Sequence, residues 1–338
     1  FLTSNDPMLI IHCTTLERGA SEYSKAPQFS FVIGNYTMKN LSYLYENCTL
    51  CPRMCHVNRR QNRGICGQGT DIKAARAALH FWEEPCLSEN GGSGAVFFSG
   101  CTLKCCYCQN YPISQGNLGK EIPPERLGEI FLELQEKGAQ NIDLITATHF
   151  LPSILPVLDK VRPFLHIPVV YNCGGYERVE TLRALEGYVD VYLPDFKYFS
   201  SDVSQKYSGA SDYFQYASQA IQEMIRQCGN PIFDKNGILT RGVLVRHMVL
   251  PGQKEDSIHL LHWMKKNLPR KKWLISLMSQ YTPFFHAEKY PEINRRITTY
   301  EYNKVLDTAL SLGLDQGYMQ ERTSAKEEHT PPFNLEGL

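Results

Sequence analysis

Neither sign of charge dominates this chain, and no apolar run is long enough to cross a bilayer. Lys plus Arg and Asp plus Glu number 35 each in 338 residues, a formal net charge of zero at pH 7 with histidine neutral. That balance offers no global field to nucleic acid or to an anionic membrane surface. The longest apolar stretches, such as residues 243–245 and 274–278, fall far below the roughly 20 residues of a spanning helix. No cationic-then-apolar signal opens the chain, and a disulfide scaffold is normally a small secreted domain. A reducing, cytoplasmic setting is therefore expected, with no membrane association and no DNA binding.

Cysteine, by contrast, is plentiful: there are twelve, most of them in two clusters. Cys101, Cys105 and Cys108 follow a C-x3-C-x2-C spacing directly after the apolar run 95–99. Three thiolates that close in sequence can hold three irons of a [4Fe–4S] cube, leaving the fourth iron without a protein ligand. An open iron separates an enzyme's cluster from that of an electron carrier, which four cysteines usually close. Cys106 adds a further thiol to the loop. Adjacent side chains of an extended segment diverge, so Cys106 is expected to point away from the other three. The alternative is a set of buried cysteines that only pack.

The second cluster is Cys48, Cys51, Cys55 and Cys66, spaced C-x2-C-x3-C-x10-C. Four thiolates suffice for tetrahedral zinc or for an auxiliary iron–sulfur cluster, and the spacing does not choose between them. His56 could substitute for Cys55, while Gly64 and Gly67 suit a tight turn beside Cys66. Arg53, Arg59, Arg60 and Arg63 surround the set, as a basic patch for an acidic partner or RNA, or as a solvated face. Metal-free burial is again the alternative. Cys13, Cys86, Cys173 and Cys228 read as structural.

The chain divides into a segment 1–37 without clear period, expected to be a dispensable extension, and a cysteine-rich segment 38–90. A region 91–321 of alternating strands and helices follows, then a polar tail 322–338, expected to be loose. Strands are expected at 95–99, 142–146, 169–172, 189–195, 244–250 and 273–278, as the continuous apolar runs of buried parallel strands. Helices are expected at 124–138, 181–187, 213–228 and 257–267. The first of these has proline in its first turn, Leu127, Ile130, Phe131 and Leu134 on one face, and glycine at its end.

Residues with chemistry gather at the C-terminal ends of these runs, where parallel α/β barrels place their active sites. Run three ends in Tyr171-Asn172-Cys173-Gly174-Gly175-Tyr176-Glu177. Its glycines permit close backbone approach to a ligand, and Asn172 and Glu177 offer polar groups; an ordinary strand-to-helix turn would read the same. Asp195 and Lys197 share a face if their strand continues, as a site pair or as a structural salt bridge. Arg246 could clamp a carboxylate bidentately. Thr146, Thr148 and His149 end the second run with hydroxyl and imidazole groups, though a lone histidine is as readily structural. Residues 279–283, after the sixth run, are a further candidate lining.

Together these pieces resemble the glycyl-radical-enzyme activases of the radical S-adenosylmethionine (radical SAM) superfamily, in particular the pyruvate formate-lyase activating-enzyme-like, PflX-type branch. The matching stretches are 48–55, 99–115, 148–152, 192–199 and 246–252, so the resemblance spans most of 45–320. It implies an α/β fold, a partial (β/α)6 barrel with an N-terminal cysteine-rich metal-binding segment. It implies a [4Fe–4S] cluster on Cys101, Cys105 and Cys108, with S-adenosylmethionine (SAM) at the open iron. Tyr107, Thr148, His149, Asn172, Glu177, Asp195, Lys197 and Arg246 are the SAM contacts it suggests, Tyr107 beside the adenine. Many radical SAM proteins carry a Gly-Gly-Glu run at the end of the second strand; here residues 146–149 read Thr-Ala-Thr-His.

The implied reaction is reductive cleavage of SAM to methionine and a 5′-deoxyadenosyl radical, which takes hydrogen from a substrate C–H. No protein residue beyond the cluster is expected to be catalytic. The electron would come from a low-potential donor of the flavodoxin or ferredoxin type. In the activases the hydrogen comes from a backbone glycine of a partner enzyme, a protein substrate. Radical SAM modification of a peptide, RNA or small molecule is a second outcome, and a non-catalytic iron–sulfur or zinc protein a third. Activases with auxiliary clusters use other cysteine spacings, so the metal at Cys48, Cys51, Cys55 and Cys66 stays open between zinc and a second cluster.

Overall fold

The six apolar runs read as strands lie side by side, all parallel, in chain order. The computed structural model describes residues 8–11, 41–89, 91–320 and 330–338. In chain order its strands are β1 (Met8–Ile11), β2 (Lys73–His80), β3 (Ser93–Phe98), β4 (Lys120–Glu121), β5 (Ile142–Ile145) and β6 (Val169–Cys173), then β7 (Val191–Pro194), β8 (Ile232–Phe233), β9 (Leu239–Met248), β10 (Leu274–Met278) and β11 (Gly317–Gln320). The helices are α1 (Pro85–Ser88), α2 (Tyr111–Ser114), α3 (Pro124–Glu136), α4 (Leu151–Val161) and α5 (Val179–Ala184), followed by α6 (Ser201–Ser208), α7 (Tyr213–Cys228), α8 (Lys254–Asn267) and α9 (Thr299–Ser311).

The sheet runs β1-β11-β10-β9-β7-β6-β5-β3-β2-β4, with β8 beside β9. From β3 to β11 each neighbour along this path is parallel, while at the two ends β1 pairs antiparallel with β11, β2 with β3 and β4 with β2. The path does not close on itself, so the fold is an α/β structure with a mostly parallel, open sheet. Every residue of β5, β6, β7 and β10 is buried, as two-faced parallel strands require. Helices pack over it in pairs, α3 on α4, α5 on α7 and α8 on α9. Leu127, Ile130, Phe131 and Leu134 of α3 are each at most 1% exposed, and burial of a side chain that size stabilises by about 1.5–3 kcal/mol. Among the described residues no helix is long and apolar enough to cross a membrane.

Three expectations change. Part of the 1–37 segment belongs to the sheet: Met8–Ile11 pairs antiparallel with β11, itself a seventh parallel strand beside β10. The rest of 1–37 lies outside the described residues. Second, β2 falls within the 38–90 segment yet pairs with β3 over most of its length. Its alanine-rich sequence, Lys-Ala-Ala-Arg-Ala-Ala-Leu-His, carries little strand propensity and is held by its neighbours. Third, the tail is not loose where it is described. Leu335 donates its amide to the Ala75 carbonyl, and Ala77 donates to the Glu336 carbonyl, so residues 330–338 lie along β2. Phe333 meets Phe97 edge-on, and Arg126 donates to the Gly337 carbonyl. Residues 322–329 of that tail lie outside the described residues.

Candidate active site

The parallel strands end on one side of the sheet, and there a cavity of about 250 Å3 opens. Cys101, Cys105 and Cys108, in the loop after β3, all line it; Cys106 does not. The backbone decides this. Cys106 donates its amide to the Tyr207 carbonyl and accepts the His286 amide, each at 2.8 Å, which turns its thiol away. Lys104 is bonded to the Ser208 carbonyl at the end of α6, and Gln115 donates to the Cys105 carbonyl. Ser208 Oγ donates to Cys105 Sγ at 2.9 Å, and Cys108 Sγ lies 3.3 Å from Ser114 Oγ.

Burial, reinforced by the charge of Cys105, pushes the Cys101 thiol up to about 11. The same two causes, with Cys101 adding to them, push Cys108 to about 12. Burial thus opposes ionisation of Cys101 and Cys108; a cationic metal centre bound beside them would reverse that balance. Among the described residues no three His, Cys, Asp or Glu side chains stand at metal-ligating geometry. The donor set nevertheless fits an iron–sulfur cluster, with three soft sulfurs on one cavity wall and a fourth held off it.

A buried polar network lines the same cavity. Arg246, on β9, donates from Nε to Asp195 Oδ1 at 2.9 Å, from Nη1 to Glu83 Oε1 at 2.8 Å and from Nη2 to Asn172 Oδ1 at 2.7 Å. Lys197 Nζ donates to Asp195 Oδ2 at 2.7 Å. Asn172 in turn donates to Glu83 at 3.0 Å and to Asp143 at 3.3 Å. Burial alone would raise the Asp195 carboxyl, but Arg246 and Lys197 outweigh it and hold Asp195 below the ordinary carboxylate range. Burial would likewise lower Lys197, and Asp195 together with Cys105 keeps it above its usual value. Glu84, deeper in the wall, is pushed up to about 7 by burial and by Glu83, against the pull of Arg246. The wall thus carries carboxyl groups in excess of its two cations.

Five of the eight residues expected to meet SAM line this cavity: Tyr107, Asn172, Asp195, Lys197 and Arg246. Arg246 is not free to clamp a carboxylate by itself, because three of its nitrogens already serve protein partners. Tyr107 shares a hydroxyl–hydroxyl hydrogen bond with Tyr198 and packs its ring edge-on against Tyr281. Thr148, His149 and Glu177 lie elsewhere. Thr148 accepts from Tyr171 and donates to Glu177 Oε1, whose carboxyl burial pushes up to about 8. His149 is held down to about 3, by burial and then by the charge of Arg59, and its Nε2 bonds the Ser99 carbonyl at 2.7 Å. Gly175, at φ +77°, answers a protein neighbour rather than a ligand: a β-carbon there would fall 2.1 Å from the Asp195 carbonyl oxygen.

Of residues 279–283, Gln280 lines the cavity, and Thr146 of the second strand end does too. Glu83, Met248 and Met278 were not singled out from sequence. The methionines are apolar residues at the ends of strands whose location was already legible. Glu83 sits after β2, a strand with no readable signature.

Cys48, Cys51, Cys55 and Cys66 stand apart from this cavity, on the segment that packs beside the cysteine loop. They are free thiols, and Cys55 and Cys66 face the same point: a β-carbon built on Gly64 would lie 3.4 and 3.3 Å from their sulfurs. His56 is engaged with Asn47 at 2.9 Å. The surrounding arginines form no common basic patch. Arg59 is 2% exposed, and Arg53 reaches into the barrel loops.

A family model described as the radical SAM superfamily matches residues 95–264. An uncharacterized protein of Methanocaldococcus jannaschii is 32% identical over 287 residues, covering 81% of this chain and 78% of its own length. Among solved structures, Streptococcus suis SuiB bound to S-adenosylmethionine is similar with a TM-score of 0.46 at 11% identity, covering 68% of this chain and 50% of SuiB. The [FeFe]-hydrogenase maturase HydG has a TM-score of 0.45 at 14% identity, covering 64% and 48%. The chain spans about half the length of these solved structures.

Proposed function

The chain belongs to the radical SAM superfamily, and from that membership we propose that it is an enzyme whose Cys101, Cys105 and Cys108 would hold a [4Fe–4S] cluster with SAM bound in the adjoining cavity. When bound, cluster and SAM together supply one-electron reductive chemistry directed at a substrate C–H bond. The observation that carries the reading is the shared cavity, lined both by the three cysteines and by the Glu83–Asn172–Asp195–Lys197–Arg246 network.

SAM carries an ammonium, a sulfonium and a carboxylate, a net cation. Glu83 and Asp195 would receive the ammonium, and Lys197, with the remaining N–H groups of Arg246, would receive the carboxylate. Asn172 orients Glu83 and Arg246 toward each other. Met248 and Met278 supply apolar wall that excludes water from the reacting end. Tyr107 and Tyr198 are raised well above the ordinary phenol value, burial first among the causes, and stay protonated as hydrogen-bond donors.

For the hydrogen donor, a backbone glycine of a partner enzyme is the substrate suggested by the resemblance of 48–55, 99–115 and 246–252 to the activating enzymes. The second cysteine set, Cys48, Cys51, Cys55 and Cys66, would hold a metal of its own, zinc or another iron–sulfur cluster.

The test is anaerobic. The protein is loaded with iron and sulfide, reduced with dithionite and given SAM, and 5′-deoxyadenosine is quantified beside Cys105→Ala. Product from the native chain and none from the variant is expected. A reducible cluster that yields no product would refute the enzyme reading.

A further inference from the structure

Resting on a metal at Cys48, Cys51, Cys55 and Cys66, we propose that this centre is the lock that holds the barrel's cysteine loop in place, acting through Arg53 and Arg59. Both arginines sit inside the cysteine-rich segment, and both spend their guanidinium on backbone carbonyls of the barrel. Arg53, between Cys51 and Cys55, donates from Nε to the Thr102 carbonyl at 2.9 Å, from Nη1 to the Gly209 carbonyl at 2.5 Å and from Nη2 to the Ser208 carbonyl at 3.3 Å. Thr102 follows Cys101, and Ser208 is the residue whose hydroxyl donates to Cys105. One guanidinium therefore pins the loop at one cysteine and the hydrogen-bond donor of another. Arg59 donates to the Gln68, Gly69 and His149 carbonyls, and His149 bonds the Ser99 carbonyl two residues before Cys101.

Two observations ask for a metal beneath these arginines. The first is charge. Arg59 is 2% exposed, lies over the Tyr45 ring at 4.9 Å, and has no carboxylate ion-pair partner among the described residues. A buried guanidinium without an anion is costly. Four thiolates around a zinc ion carry a net double negative charge, as they do around a [4Fe–4S]2+ cluster. The stem of Arg59 borders the same place, since the Gly64 point that faces Cys55 and Cys66 lies 3.9 Å from Arg59 Cδ.

The second observation is the backbone. Residues 46–69 have no helix or strand, only turns such as Cys51–Met54 and Gly64–Gly67 and a crossing pair at Cys48, His56 and Val57. Met54 and His56 hold φ of +34° and +54°, left-handed positions costing about 1–2 kcal/mol each for residues other than glycine. Thiolate–metal bonds supply the compensation that so short an irregular segment lacks.

The experiment uses the full chain, prepared anaerobically, with Arg53→Met, Arg53→Lys and the double variant Cys51→Ser, Cys66→Ser. Zinc, iron and sulfide are counted, and the rate at which a ferrous chelator strips the Cys101–Cys105–Cys108 cluster is followed by absorbance. About four irons plus about one zinc, or about eight irons, is expected for the native chain, and the count distinguishes the two metals. Arg53→Met should keep the extra metal yet lose the barrel cluster about tenfold faster. Arg53→Lys, which cannot span three carbonyls, should fall between and carries the test if the methionine variant does not fold. The double variant should lose the extra metal and match the fast rate. Native stripping rates in the arginine variants, with the extra metal present, would overturn the lock alone. A native chain holding no metal beyond the barrel cluster would overturn the metal assignment beneath it.

Discussion

Ser208 Oγ donates to Cys105 Sγ, and the donor is itself the end of a row of three hydroxyls. Tyr198 lies 2.7 Å from Ser208, and Tyr107, two residues beyond Cys105, is bonded to Tyr198. Buried hydroxyls in series polarise one another, so the bond reaching the sulfur is stronger than an isolated one.

Hydrogen bonds to ligand sulfurs stabilise the reduced, more negative form of a cluster and raise its potential. Ser208→Ala is therefore expected to lower the midpoint potential of the cluster, and Tyr198→Phe to lower it less, in an EPR-monitored redox titration without SAM. Ser208→Thr should restore the native value. An unchanged potential in Ser208→Ala would leave the hydroxyl with a packing role only.

Arg246 holds the polar network of the cavity together. Arg246→Met strands Asp195 and Glu83 without their guanidinium, and loss of one partner of a buried pair typically costs about 3–5 kcal/mol. A marked fall in melting temperature is expected, along with SAM binding weaker by about tenfold or more in calorimetry. Adding Asp195→Asn should recover part of the stability and none of the affinity. Additive stability losses in that cycle would show that the two residues do not act as a pair.

His247 gives the fold a pH dependence. Burial, aided by Lys197, holds its imidazole down to about 4 against an ordinary 6.5; Nδ1 bonds the Phe196 carbonyl, and Nε2 has no hydrogen-bond partner. A base depressed in the folded state stays neutral while the unfolded chain takes up a proton. Its contribution is thus fully present above pH 6.5 and is lost as pH falls toward 4. Between pH 7.5 and 5.5, urea denaturation should show native stability falling by about 1 kcal/mol more than that of His247→Asn. Parallel pH profiles would contradict it.

The C-terminal strap rests on a glycine. Gly337 has φ +77°, and a β-carbon there would lie 1.9 Å from the Ala77 carbonyl oxygen. Gly337→Ala should lift the strap from β2. Faster hydrogen exchange at the Ala77 amide, which donates to Glu336, would report it, and the more distant β6 amides should keep their protection.

The parallel core was legible because β3, β5, β6, β7 and β10 are buried on both faces and so are written as largely apolar runs, as is the buried centre of β9. The helices α3, α7 and α8 were legible too, α3 most plainly. What escaped had weak local signals. The alanines of β2 become a strand only beside β3, and α4 carries Pro156 in its interior. The only plain sequence signal for α9 is the capping box of Thr298 and Glu301, which marks where a helix starts but not its apolar face. At the site, Asp195, Lys197 and Arg246 were findable because charge at a buried strand end needs a reason. Thr148, His149 and Glu177 share that placement, yet their side chains bond protein partners and do not line the cavity, and a strand-end position does not fix that direction.

The cysteine loop holds four sulfurs within eight residues, and only three can reach the cavity. Which three is settled by two amide–carbonyl pairs, Cys106 with Tyr207 and His286 with Cys106. Sulfur chemistry alone could not make that selection, since all four thiols are equally good donors to iron. The main chain therefore acts as an address system, withholding one sulfur so that a cluster held by the other three would keep a coordination position for the substrate. A slip of the loop by a single residue would deliver the withheld thiol, and the same metal centre would become a sealed relay for electrons.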